Sequence, residues 1–179
     1  MSASSEIATG ARVVIGTEAV LHRAGRAGVV VFVDFDQELL APRFRAGEQA
    51  MALLARAARI VGGRSRGGRI VVQTRVPDHD VNRALVHGDP MSVVEAERGR
   101  RQALGMPPFR AIAAVSGAAA PLFVAALQGP EGSAGIEVIG PDDGMWLVRA
   151  PGHAELCDAL AAVARPPGRL RIEVDPLRI

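Results

Sequence analysis

The chain has 179 residues, 22% charged and 49% hydrophobic, and its 21 basic residues are all arginine. Without lysine it cannot build the Gly-Lys-Ser/Thr phosphate loop of a P-loop nucleotide hydrolase, nor a Schiff-base centre. The composition is that of a globular chain, long enough for one good-sized domain or two small ones, and it excludes the disordered and collagen-like classes. The sequence pI is 9.8, yet the formal charge is only +2. With no Lys or Tyr, little titrates above neutrality, so the pI overstates the basicity.

A single cysteine, Cys157, rules out an internal disulfide and reads as a small apolar core residue. The four histidines, His22, His79, His87 and His153, make no ligand pair at helical spacing, so no metal site is expected. Residues 1–10 are small and polar and are expected to form a flexible N-terminus. No apolar run approaches the roughly 18 residues of a spanning helix, so a cytoplasmic chain with no membrane partner is expected.

In chain order, Arg12 to Thr17 and Gly28 to Asp34 are β-branched and apolar runs that predict strands. Arg43 to Val61 carries apolar residues at 3-to-4 spacing and predicts an amphipathic helix ended by Gly62-Gly63. Arg69 to Thr74 predicts a third strand, completing an alternation that points to part of a parallel α/β layer. Val81 to Leu104 predicts two helices broken near Gly88-Asp89-Pro90, with Asp89 as N-cap. Met106-Pro107-Pro108 then stops the helix.

Beyond it the predicted order is strand Phe109 to Val115, helix Ala118 to Gln128, strands Ile136 to Ile139 and Met145 to Arg149, helix His153 to Arg165 and strand Leu170 to Val174. This βαββαβ order is the ferredoxin-like pattern, which carries no function by itself. Trp146, on a predicted strand, is expected to pack in the core. Residues 1–110 hold 16 arginines against 11 acids, a balance of +5, and residues 111–179 hold 5 against 8, a balance of −3. Polyanions are therefore expected to meet the first segment.

Four local strings together resemble the C-terminal portion of the primosomal replication-restart family PriA (primosomal protein N′), superfamily 2 DNA helicases. Ile15-Gly16-Thr17-Glu18 is similar to helicase motif V. Asp34-Phe35-Asp36-Gln37-Glu38-Leu39, followed by Phe44-Arg45-Ala46-Gly47-Glu48-Gln49, is similar to the stretch running into motif VI. Arg100-Arg101-Gln102-Ala103-Leu104-Gly105-Met106-Pro107-Pro108-Phe109 resembles the family's arginine-rich helix and Pro-Pro junction, and Val138-Ile139-Gly140-Pro141 with Val174-Asp175-Pro176 its C-terminal domain.

The resemblance implies an α/β plus α+β chain. It places part of a second RecA-like helicase lobe over 11–78, a helical connector over 79–106, and an S10-like ferredoxin-like domain over 107–179. It implies replication restart and primosome assembly at stalled forks or D-loops, with ATP-dependent 3′ to 5′ unwinding in the parent family. Branched or single-stranded DNA, primosome proteins and single-strand binding protein are the implied partners. ATP with Mg²⁺, and zinc, are the family's cofactors, held by parts that have no counterpart here.

The family's motif VI reads Gln-x-x-Gly-Arg-x-Gly-Arg; here Arg59 takes the Gln position, and Arg64 and Arg66 stand for its arginines. Arg64 and Arg66 are thus the candidate arginine fingers. Gly16, Thr17, Arg59, Arg98, Arg100 and Arg101 are the candidate nucleotide or DNA contacts. Solvated turns and helix faces explain the same residues without a ligand. Asp34 and Asp36 read better as caps of the following loop than as an acid-base pair. The arginine-only, eroded motifs suggest a divergent type from high-GC, actinobacterial genomes. A stand-alone regulatory or oligomerisation module without a DNA role remains the second reading.

Overall fold

The computed structural model describes residues 11–129 and 135–177, so the expectation for residues 1–10 lies outside the described residues. The chain is of mixed α and β structure and separates into two compact units, Met1–Glu95 and Ala96–Ile179.

In the first unit, α1 (Ala19–Arg23) leads to β1 (Val29–Phe32), α2 (Asp36–Leu39), α3 (Ala46–Val61), a 3₁₀ turn (Arg64–Arg66), β2 (Arg69–Val72) and α4 (Asp80–His87). The strands pair in parallel, with Val29 opposite Arg69 and Phe32 opposite Val72. Both alternate, one face outward and one half-buried, as a period of two requires. The apolar stripe of α3, with Ala50, Leu54 and Ala57 buried, lies against this sheet. Phe32, Ile70 and Val72 pack there against a core containing Phe35, Leu39, Leu54, Val81 and Ala84. Burying side chains the size of Phe35 or Leu54 contributes about 1.5–3 kcal/mol each.

The strand predicted over Arg12–Thr17 is absent. Val13, Val14 and Ile15 are exposed, Ile15 to 93%, and the sheet has two strands where the sequence predicted three. A β-branched run becomes a strand only where a neighbouring edge and a face to bury are both present, and here it finds neither among the described residues.

Helix boundaries follow their caps. The Met91 amide donates to Asp89 Oδ1 at 3.1 Å, opening α5 (Met91–Leu104) as the sequence predicts. α4 is capped instead by His79, whose Nδ1 accepts from the Val81 amide at 3.2 Å. Gly62 and Gly88, at φ of 77° and 69°, end α3 and α4 in the left-handed conformation.

In the second unit, β3 (Ala111–Ser116), α6 (Ala120–Leu127), β4 (Glu137–Asp142), β5 (Met145–Ala150), α7 (His153–Ala162) and β6 (Arg171–Val174) follow the predicted βαββαβ order. The sheet order is β4-β5-β3-β6, every neighbouring pair antiparallel. Ala111, Ala113 and Val115 of β3 join Phe123 and Leu127 of α6, Val148 of β5 and Leu156 of α7 in one core, with Trp146 packed against it. Cys157 is exposed, against the expectation of a core position. Its neighbour Leu156 occupies the core-facing side of α7, and a one-residue step along a helix turns away from that side. Asp143 and Gly144, at φ of 44° and 73°, form the two-residue connection between β4 and β5.

Two glycines define a stability test. A Cβ on Gly68 would lie 2.4 Å from the Val61 carbonyl oxygen, where helix end and strand start approach, whereas a Cβ on Gly99 in α5 meets nothing within 4 Å. Gly68→Ala is expected to cost about 1–3 kcal/mol, and Gly99→Ala to add about 0.5–1 kcal/mol. Urea unfolding midpoints of the two variants, moving in opposite directions, check this.

Candidate nucleic-acid interface

Three of the first-unit candidates, Arg59, Arg64 and Arg66, lie at the C-terminal end of α3. Arg59 is exposed on the last turn, Arg64 opens the 3₁₀ turn, and Arg66 closes it. The turn is held by the amides of Arg66 and Gly68, both donating to the Gly63 carbonyl, at 3.2 and 3.3 Å. Arg66 folds back over the helix end, its Cδ and Nη1 lying 3.2 and 3.4 Å from where a Gly62 Cβ would stand. Among the described residues neither Arg59 nor Arg66 has an ion pair. Their charges complement the negative end of the helix dipole, and the same charges are available to a phosphate.

Gly16 and Thr17 lie in the turn that starts α1, where the Val20 amide donates to the Thr17 carbonyl at 3.0 Å. A Cβ on Gly16 would run into the Val20 side chain, which would have to move to admit it. α1 is fastened to α3 by Arg56, whose Nε donates to the Leu21 carbonyl at 2.8 Å. Arg56 escaped the sequence reading, because a capping contact 35 residues away leaves no local pattern.

Asp34 and Asp36 sit at the other, carboxyl end of the strands. Asp36 accepts from the Thr74 hydroxyl and, at 2.9 Å, from the Arg75 amide, tying the exits of β1 and β2 together. The Thr74 hydrogen bond and then the Arg75 amide hold the Asp36 carboxyl below its ordinary range, with burial opposing them. Asn82 reaches the same web, its Nδ2 donating to the Val76 carbonyl at 2.9 Å. Asp34 accepts from the Gln37 side chain at 2.6 Å, a local cap.

On α5 the three candidate arginines have different surroundings. Arg98 is exposed with no ion pair among the described residues. Arg100 is exposed and pairs with Glu97 at 2.7 Å. Arg101 is buried, at 9% exposure, with its Nε 3.5 Å from the same carboxylate. A buried guanidinium held by its own helix is committed to packing, leaving Arg98 and Arg100 as the outward pair.

A further cluster, absent from the candidates, lies at the edge of the second unit's sheet. Glu137 on β4 accepts from Arg149 Nη2 at 2.6 Å and Arg110 Nη1 at 3.0 Å. Arg149 also donates to the Leu104 carbonyl at 3.2 Å, capping the end of α5. The Arg149 hydrogen bond is the largest cause holding the Glu137 carboxyl below its ordinary value; Arg110 adds to it and burial opposes it. Among the described residues no group of three or more His, Cys, Asp or Glu side chains is placed to hold a metal ion. No described helix is long and apolar enough to cross a membrane.

Because the folded carboxyls of Glu137 and Asp36 sit below their ordinary pKa values of 4.5 and 3.8, each contributes stability above its ordinary value that is lost as pH falls through the folded one. Wild type is expected to lose more melting temperature between neutral pH and the acid range below 4.5 than Glu137→Gln does. Thermal melts across that range check the difference in slope.

No family model matches the chain. It is 38% identical over 74 residues, 41% of its length, to the replication restart protein PriA of Treponema pallidum, of which that stretch is 11%. It is 28% identical over 100 residues, 55% of its length, to the replication restart protein PriA of Haemophilus influenzae, of which that stretch is 14%. The matches therefore span a small part of these relatives' length, and they support a PriA-related region in this chain.

Proposed function

We propose that this chain is the C-terminal, DNA-binding portion of a PriA-type replication-restart protein, acting at branched DNA in the bacterial cytoplasm together with primosome proteins. The observation that carries the reading is the partial identity to two PriA proteins from different bacteria. The exposed, chemically uniform arginines supply the means. Arg59 and Arg66 at the end of α3, and Arg98 and Arg100 on α5, present planar guanidinium forks that match phosphate oxygens bidentately. Contacts of this kind position a protein on nucleic acid without reading sequence, which suits recognition of a branch rather than of a base order.

In this reading residues 11–78 belong to a RecA-like helicase lobe and 107–179 to a ferredoxin-like, S10-like domain, with the connector between them. The arginine-only basicity suits a divergent, high-GC type. Nucleotide and Mg²⁺ belong to the parent family's catalysis. This chain has no lysine to reach the β and γ phosphates, so purified chain is expected not to turn over ATP.

Fluorescence anisotropy with a forked duplex tests the proposal. Affinity is expected to fall steeply between about 50 and 200 mM salt, and Arg98→Ala with Arg100→Ala to reduce the logarithmic salt slope by about one per lost phosphate contact. Absence of binding at the lower salt, or a slope indifferent to these arginines, sinks it.

A further inference from the structure

The sheet of the second unit ends on two edge strands, β4 and β6, and the two edges differ. β4 is blunted, because Pro141 has no amide to donate and the register breaks between Ile139 and Asp142. β6 has neither device. The Asp175 amide donates to the Ile112 carbonyl at 3.0 Å, continuing the register that sets Ala113 opposite Val174. Backbone groups alternate in direction along an antiparallel strand, so Arg171 and Glu173 also turn theirs toward β3. Ile172 and Val174 turn theirs to the outer edge, where no strand pairs with them among the described residues.

The side chains along this edge are antisymmetric in charge. From Arg169 to Asp175 the run is Arg-Leu-Arg-Ile-Glu-Val-Asp, positive before Ile172 and negative after it. Arg171 and Glu173 lie on one side of β6, where their side chains pair at 2.7 Å and line one cavity with Ala114 and Ser116. At 67% and 40% exposure both remain open to further partners. Ile172 lies on the other side, packed against the core.

We infer that β6 pairs edge to edge, antiparallel, with β6 of a second copy of this chain about a two-fold axis through Ile172. In that register the two Ile172 residues exchange backbone hydrogen bonds with the groups they already turn outward. Arg171 of each copy stands opposite the partner's Glu173, in the pair type whose side chains approach most closely, with Cβ atoms about 4.5–5.5 Å apart. On the helix side Leu170 of each copy meets the partner's Val174. Every contact occurs twice, as an isologous interface requires.

The charges also exclude the neighbouring registers. A slip of one residue sets outward backbone groups against inward ones. A slip of two sets Arg171 against the partner's Arg171, or Glu173 against the partner's Glu173, and like charges directly opposite destabilise a strand pair. A polyanion is repelled by Glu173 and Asp175 and returns none of the backbone hydrogen bonds of a strand edge. The inference stands independently of the PriA relationship.

Sedimentation equilibrium of the whole 179-residue chain tests it. The shared edge is short, so a weak reversible dimer is expected, half formed at about 10–100 µM. Arg171→Glu alone and Glu173→Arg alone each place like charges across the axis and are expected to weaken the dimer at least about tenfold. An equimolar mixture of the two variants is expected to associate again, within about threefold of wild type, because each then meets its opposite. The double variant Arg171→Glu with Glu173→Arg is expected to dimerise by itself. A wild type that stays monomeric throughout that range overturns the inference. So do a dimer indifferent to both single substitutions, and single variants that fail to associate on mixing while the double variant also stays monomeric.

Discussion

A β-strand has two faces and two edges, and how many of them are hidden from water sets the character of everything around it. β3 hides nearly all of itself. Five of its six residues are buried, β5 and β6 pair along its two edges, and α6 and α7 cover one face. The second unit is organised about this strand, and its neighbours inherit their alternation from it: Val148 and Ala150 inward, Leu147 and Arg149 outward. β1 and β2 satisfy half of the same requirement. Their inner residues rest on α3, and their outer valines face water. The exposed run at Val13 to Ile15 has the same cause, since β-branched side chains gain nothing from the extended state without a surface to press against.

Having arginine as the only strong base changes what the charged surface does. A guanidinium offers five donors in a fixed plane and stays protonated, so each arginine either finds a shaped acceptor or remains a solvated charge. Several here find acceptors. Arg56 caps α1, Arg149 and Arg110 share Glu137, and Arg43 Nη1 reaches Gln49 at 2.6 Å. What remains outward is a smaller set than the sequence count implies, and Arg59, Arg66 and Arg98 are among it. An excess of +5 over residues 1–110 is therefore a poor measure of the charge offered to a polyanion. The geometry of each fork is a better one.

The elements that could be read from the sequence are those whose signal is local. Gly62 ends α3, Asp89 opens α5, and Asp143-Gly144 turns β4 into β5, each through the backbone preference of one or two residues. Trp146 and the βαββαβ order were legible through strand alternation and helix spacing. What could not be read depends on pairing across distance. Counting outward from the two-residue turn, where Asp142 faces Met145, pairs Glu137 with Ala150. An irregularity between Ile139 and Asp142 shifts the register by one and brings Glu137 opposite Arg149. The Glu137 cluster exists because of that shift, and no composition or motif announces it. The buried state of Arg101, beside exposed Arg98 and Arg100, is equally silent in a sequence that reads only as a basic helix.

The arginines at the end of α3 also bear on how an anion contact and helix stability combine. Arg59 and Arg66 stand where the last carbonyls of the helix leave partial negative charge, an interaction of about 0.3–1 kcal/mol at an exposed helix end. A phosphate drawn to the same guanidiniums competes for their donors but does not remove their charge, so the helix end keeps its electrostatic support when the ligand is bound. Arg66 has the further restraint of a turn held at both ends by the Gly63 carbonyl, which fixes its backbone and leaves the side chain as the part free to reorient. A contact made by a fixed turn and a long side chain tolerates varied phosphate positions.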